Sequence, residues 1–429
     1  MTETFRLIFC LAFALTLSVR LWLKLRQWRH IAAHRESVPA QFAARISLAS
    51  HEKAAAYGID RSKVALWSSV IDAFVLLAFT LGGGLLALHN FWAAHFTGIG
   101  YGLALIFSFM LLSSLIDLPL SLYQQFVIET RHGFNRMRPA LFFSDWGKQL
   151  LLGVIIGAPV LAAILWLMES MGERWWLYVW LFWSAFNLLM LFIFPTWIAP
   201  LFNKFSPLPE SETKNRIEAL LVRCGFRNNG LFVMDGSKRS AHGNAYFTGF
   251  GKNKRIVFFD TLLERLSPSE TEAVLAHELG HFRKRHVVQR LCFMFASSLV
   301  MLAVLGQLID APWFYAGLGV PLQGSTQNTG LALILFFLVI PLFLFPLTPL
   351  SSHWSRRHEF EADAYAAAHS SGTDLVHALI KLYDDNAATL TPDPLHSLFY
   401  DSHPPAALRI AHLQRGTSSD IPLSPGAVA

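Results

Sequence analysis

Seven stretches of this 429-residue chain are apolar, 18 residues or longer and interrupted by two charges at most. Each is long enough to cross a hydrocarbon layer of roughly 30 Å as a helix. They fall at about Arg6–Leu23, Val64–Leu88, Gly98–Leu120, Gln149–Met168, Trp175–Trp197, Val287–Ile309 and Thr329–Pro349. The first is short enough to be a secretory signal. Its strongest basic cluster (Arg20, Lys24, Arg26, Arg29) follows the apolar run, however, and no small-residue cleavage site is evident, so it reads as a retained span. Composition agrees, with 53% hydrophobic residues and only 15% charged, where a soluble chain carries about 25% charged. The same numbers exclude disorder, collagen and coiled coil. Three scattered cysteines offer neither a disulfide framework nor a Cys-rich metal site.

The basic residues are sorted along the chain. Of 35 Lys and Arg, 32 fall in four segments: after span one, after span three, between Ala199 and His286, and after Ser351. The loops at 89–97 and 310–328 have none, and 169–174 has only Arg174. Cytoplasmic loops are the ones enriched in Lys and Arg, so the amino terminus is expected outside and the carboxyl terminus in the cytoplasm. The formal charge of +6 is then a topology signal, and no nucleic-acid partner is expected.

Two polar blocks, 200–286 and 351–418, lie on that cytoplasmic side with spans six and seven between them. They are expected to fold together as one split domain. The expected organisation is helices one to five within 1–199, the first part of the domain at 200–286, spans six and seven at 287–350, its second part at 351–418, and a disordered tail at 419–429. Gly230–Asp235 and Arg255–Asp260, rich in Phe and Val, read as strands.

Ser267-Pro268-Ser269-Glu270 is a helix start, with Ser as N-cap, Pro at the first position and Glu three residues on. The helix carries His277-Glu278-Leu279-Gly280-His281. Residues i and i+4 share a face, so both imidazoles reach one metal ion, and Glu278 is placed to take a proton from water on that metal. With 17 His and 15 Glu in 429 residues, chance supplies roughly 0.02 such patterns. A catalytic zinc needs a third protein ligand and an open position for water. His286 falls off the shared face and reads as a solvated helix-end histidine. No Glu lies between 278 and 359, and Asp310 is expected on the other side of the membrane. The third ligand is therefore expected in Arg356–Asp363. Glu359 and Asp363 are i and i+4, with Glu361 roughly 200° around the helix from Glu359. Glu359 is expected as ligand, Asp363 as the carboxylate behind a ligand histidine, and Glu361 on a solvated face. One Zn2+ per chain is implied.

These motifs, on a seven-span chain, resemble the type I CAAX prenyl protease family of integral-membrane zinc metalloproteases. Phe126–Glu129 with His132–Asn135, Ile198–Phe205, Asn244–Phe247 with Gly249, Asp393–Leu395, and Ser402–Pro405 with Arg409 resemble further segments of that family in order, over nearly the whole chain. Gly243 departs from the pattern, where a Ser is expected. The resemblance implies a fold of seven transmembrane helices with a split cytoplasmic zincin-like α+β metalloprotease domain. It implies that Asn244 and Ala245 bind substrate backbone at a strand edge, that His403 donates to the developing oxyanion, and that Arg409 supports His403 or the substrate carbonyl. It also implies a water-filled chamber inside the helices, which Asp72, Asp117 and Asn187 would line.

The function so implied is a membrane-embedded zinc endopeptidase cutting near the carboxyl terminus of peptides or membrane-associated proteins, prenylated CAAX tails among them, as a monomer in the lipid bilayer. A broad quality-control membrane protease is the alternative, with a non-catalytic scaffold and a transporter behind it. Arg outnumbers Lys 24 to 11 and the tail has no ER-retrieval signal, which favours a bacterial inner membrane over the ER.

Overall fold

A computed structural model describes residues 1–248, 253–321 and 329–418. Among them, seven helices are long and apolar enough to cross a membrane, as the sequence predicts. The tail expected at 419–429 lies outside the described residues.

The first helix, α1 (Thr2–Ala33), continues ten residues past the apolar run. Nothing between Leu23 and Ala33 breaks it, and its basic residues find partners on neighbouring elements. Lys24 donates to the Ala65 carbonyl at 2.7 Å, and Arg26 to Asp393 at 3.0 Å. α2 (Leu48–Phe79) is capped by Ser47 and stops earlier than expected. The predicted span Val64–Leu88 breaks at Thr80, and a separate short helix, α3 (Gly84–Ala93), follows. Gly82–Gly84 turn the chain: Gly83 has φ +77°, and a Cβ on Gly84 would meet the Ala78 carbonyl oxygen at 2.8 Å. α4 (Gly98–Tyr123), α5 (Pro139–Ser170) and α6 (Trp175–Ile193) complete the first half, and α4 and α6 each end in a π-helical turn.

The second half opens with a four-stranded sheet, β1 (Phe205–Pro207), β2 (Arg227–Met234), β3 (Ala245–Thr248) and β4 (Asn253–Phe259), in the order β1-β2-β4-β3. Only β2 and β4 are parallel. α7 (Glu212–Arg223) lies between β1 and β2, and α8 (Pro268–Arg283) follows the sheet. α8 starts with the expected capping box between Ser267 and Glu270. α9 (His286–Leu308) and α10 (Thr329–Leu344) are spans six and seven. A single 3-10 turn, Phe345–Leu347, leads from α10 into α11 (Thr348–His369), so the seventh span runs almost directly into the helix that carries Glu359. Pro349 sits in the first turn of α11, where a missing N–H costs nothing. α12 (Gly372–Asp385), α13 (Pro394–Tyr400) and α14 (Ala406–Ser418) complete the chain.

Two main cores result. One lies among the spanning helices, built around Leu105, Leu165, Leu305 and Leu335. The other joins the two polar blocks, with Ile256 and Phe258 of β4 against Leu275 and Leu279 of α8, Ala366 of α11 and Leu379 of α12. This core takes residues from both 200–286 and 351–418. α8 and α11 pack closely because both are small at the crossing; a Cβ on Gly280 would lie 2.9 Å from the Ala362 Cα.

A string of cavities connects the two halves. Asp72 and Asp117 line one of about 360 Å³ and a neighbour of about 380 Å³. The neighbour shares Arg61 and Ala65 with a cavity of about 780 Å³, which reaches His242, Asn386 and His403. Asn187 is occupied otherwise, since its amide donates to the Trp183 carbonyl one turn back at 2.7 Å.

Candidate metal centre

α8 and α11 bring His277, His281 and Glu359 to one point. The two imidazole Nε2 atoms face each other at 3.3 Å, and each lies 3.4 Å from an oxygen of the Glu359 carboxylate. Two ring nitrogens and a carboxylate therefore converge on one point. Glu359 Oε2 is buried and makes no hydrogen bond. A buried acceptor left this way costs free energy unless a cation answers it. Burial pushes His281 down to about 3, which keeps its ring neutral and its lone pair free. The donor set fits a single metal ion.

Behind the three side chains lies a buried support. His277 Nδ1 is 2.8 Å from Asp363 Oδ1, and Asp363 is 0% exposed. Arg409, from α14, donates through Nε to Asp363 Oδ2 at 2.8 Å and through Nη2 to Asp363 Oδ1. Its Nη1 is 3.9 Å from Glu359 Oε2. Asp363 thus stands behind His277. The Arg409 guanidinium faces the two carboxylates at the back of the site. Arg356, one helical turn before Glu359, points away from it and donates to the Ser397 and Asp401 carbonyls at 3.0 and 2.9 Å.

The open side carries the remaining candidates. Asn244, Ala245, His277, Glu278, His403 and Arg409 all line a cavity of about 230 Å³. Burial raises the Glu278 carboxyl above its ordinary value, with the His277 charge opposing. His403 is exposed, with Nε2 3.5 Å from Glu359 Oε1 and Nδ1 3.0 Å from the Ser402 hydroxyl. A Ser402 hydroxyl donating to Nδ1 leaves the ring proton on Nε2, toward the site. β3 is an edge strand of the sheet. The Asn244 carbonyl accepts from the Phe259 N–H at 3.0 Å, so alternation along an antiparallel pair turns the Ala245 N–H away from β4. That N–H is taken by the Asn244 side-chain oxygen at 2.8 Å. Gly249 lies outside the described residues.

Sequence reasoning misplaced two residues and missed one. His286 is 1% exposed, not solvated, and its Nδ1 is 3.0 Å from His281 Nδ1. Glu361 is 3.2 Å from His286 Nε2 rather than free in solvent. His242, to which the sequence assigns no role, has its Nε2 3.6 Å from Glu129 and its Nδ1 3.1 Å from the Asn386 side chain, two residues before Asn244.

The motifs spread along the chain also meet here. Phe134 stacks on His242, and Asn135 bridges to Ser240. Arg239 ties this strip to Asp145, Asn203 and the Phe202 carbonyl.

Comparison with known proteins accounts for both halves. Residues 27–204 match the family described as CAAX prenyl protease N-terminal, five membrane helices, and residues 207–417 match peptidase family M48. CAAX prenyl protease 1 of Saccharomyces cerevisiae is 40% identical over 314 residues, covering 70% of this chain and 69% of its own length. The CAAX prenyl protease 1 homolog of Oryza sativa subsp. japonica is 36% identical over 413 residues, covering 92% and 94%. The crystal structure of S. mikatae Ste24p superposes with a TM-score of 0.89 at 31% identity, covering 95% of this chain and 98% of that one. With both family matches following one another along the chain and His277, His281 and Glu359 brought together, the chain belongs to peptidase family M48, in its CAAX prenyl protease branch, and is a multi-pass membrane metalloendopeptidase.

Proposed function

We propose that the metal is zinc, one per chain, held by His277, His281 and Glu359, and that the protein hydrolyses a peptide bond near the carboxyl terminus of CAAX substrates. The observation that carries the zinc assignment is the spacing of the ligand-type atoms, with the two Nε2 atoms 3.3 Å apart and each 3.4 Å from one oxygen of Glu359, Oε2 for His277 and Oε1 for His281. Zinc–ligand bonds of about 2.0–2.1 Å in a tetrahedron put neighbouring ligands about 3.3–3.4 Å apart. The substrate assignment rests on the relatives, which are named CAAX prenyl protease 1. When bound, zinc supplies Lewis acidity that makes water a nucleophile at neutral pH.

The chain's own residues do the rest. Asp363 holds His277 in the tautomer whose Nε2 lone pair points inward. Glu278, one residue on and facing the cleft, takes the proton of the attacking water and delivers it to the leaving amine. His403 donates from Nε2 to the carbonyl oxygen as negative charge develops there. Arg409 is a positioning residue that acts through Asp363 and Glu359. Asn244 and Ala245 bind the substrate main chain as an added strand at the β3 edge.

The Lys and Arg distribution supports an amino terminus outside and this site in the cytoplasm, and the excess of Arg over Lys a bacterial inner membrane; the protein is proposed to act there as a monomer in lipid. The split domain is then 200–286 with 351–418, around spans six and seven. A second reading, a broad protease of membrane proteins, is favoured by the edge strand, because main-chain pairing is nearly indifferent to side chains.

The test is cleavage of a farnesylated CAAX peptide beside an unmodified protein, by protein purified in detergent with its zinc content measured. Glu278→Gln is expected to keep zinc and lose about 10²–10⁴-fold in turnover. Full activity in that variant overturns the mechanism, and faster cleavage of the unmodified protein favours the second reading.

A further inference from the structure

His286 is the first residue of α9, five positions past His281, yet it is 1% exposed and lies against the back of His281. The turn that brings it there is made by Arg285, whose φ of +59° is left-handed and rare for a residue with a Cβ. Once there, both ring nitrogens have partners. Nδ1 meets His281 Nδ1 at 3.0 Å, and Nε2 meets Glu361 Oε2 at 3.2 Å. Glu361 is held in turn by Arg357 Nε at 3.2 Å. The ring stacks on His358, with centroids 3.9 Å apart and planes within 5°, and His358 is fixed by Gln289 at 3.1 Å.

The contact between two Nδ1 atoms settles the proton positions. Only one proton fits between them. If His281 offers its Nε2 lone pair to the metal, its own proton is on Nδ1, so His286 Nδ1 accepts. The His286 proton is then on Nε2, aimed at the Glu361 carboxylate. We infer that His286, backed by Glu361, is the positioning group for His281, matching what Asp363 does for His277. The inference rests on His281 being a metal ligand. It makes the two histidines unequal, since His277 is backed by a carboxylate directly and His281 through an intervening imidazole.

Two variants separate hydrogen bonding from packing. His286→Gln keeps an acceptor toward His281 and a donor toward Glu361 but has no ring. His286→Phe keeps a ring on His358 but has neither bond. Zinc affinity is read by competition with a chromophoric chelator on the full-length protein in detergent, together with thermal unfolding of the metal-free form. His286→Phe is expected to weaken zinc about 10–100-fold with unfolding of the metal-free form unchanged, and His286→Gln to stay near the parent. Zinc affinity at the parent level in His286→Phe, or a loss in His286→Gln as large as in His286→Phe, overturns the inference. His281→Ala is the control: if it holds zinc like the parent, the ligand assignment itself fails, which the His286 variants alone would not report.

Discussion

Asp363 and His403 both stand within reach of the same metal-facing side chains, and their surroundings could hardly differ more. Asp363 is fully buried and takes bonds from His277 and twice from Arg409. His403, 3.5 Å from Glu359, is 63% exposed and bonds only its neighbour Ser402 among the contacts at the site. The same division separates the α8–α11 crossing, where backbone nearly touches backbone at Gly280, from the β3 edge, where Asn244 is exposed. One wall fixes ligand positions before anything binds. The other holds its donors only through sequence neighbours, Ser402 beside His403 and Asn244 before the Ala245 N–H, where in the proposed function a carbonyl oxygen or a substrate strand takes them. The metal wall should therefore answer substitution in stability and metal affinity, and the open wall in rate.

The largest effect should come from the metal wall. Arg409→Met leaves Asp363 as a buried carboxylate without its cation. Breaking a buried pair from one side costs about 3–5 kcal/mol. A fall in unfolding midpoint in detergent, with weaker zinc binding, is expected. An unchanged midpoint would show that the buried pair is not what organises this wall.

His403→Ala tests the opposite wall. Removing one oxyanion donor costs about 2.7–4 kcal/mol in the barrier, or about 10²–10³-fold in kcat. The unfolding midpoint and zinc content should stay at the parent values. A variant that loses zinc along with activity would place His403 on the metal wall and break the comparison.

Gly280→Ala returns to the crossing with a smaller expected effect. Its Cβ would lie 2.9 Å from the Ala362 Cα and 3.0 Å from the Tyr365 Cβ, both on α11. The helices must part by a few tenths of an ångström, at about 1–3 kcal/mol for overpacking. Because α8 and α11 carry the proposed ligands, zinc affinity should fall with stability.

How much of this was legible beforehand divides along similar lines. Two histidines four residues apart on a clean helix, and Glu359 four residues before Asp363, are periodicity statements, and helix geometry delivers them unchanged. The sorted basic residues and the apolar runs needed only a count. His286 was misread because the same periodicity was carried past Lys284, where a left-handed Arg285 resets the phase. Nothing in Lys284-Arg285 marks such a turn, since neither is Gly or Asn. The break in the second span was marked, by Gly82-Gly83-Gly84, and was outweighed by the hydrophobicity around it. The seventh span is expected to end at Pro349, although Pro in a first helical turn starts a helix as readily as it ends one. His242 illustrates the remaining limit: its partners Glu129 and Asn386 are more than a hundred residues away on either side, and only the fold brings them together.

The smallest effect, and the most discriminating for the open wall, is expected from Asn244→Ala. A net hydrogen bond to a substrate carbonyl or amide contributes about 0.5–1.5 kcal/mol, which would raise KM by roughly 2- to 12-fold. Asn244 is not idle in the free protein, however. Its side-chain oxygen holds the outward Ala245 N–H, the donor that an added strand would use. Binding therefore exchanges one hydrogen bond for another, and the loss should sit at the low end of that range. The kcat should not move, since neither atom touches the reacting carbonyl. A kcat loss of the size expected for His403→Ala would mean that Asn244 works on the transition state, and the open wall would then hold two donors for the oxyanion instead of one.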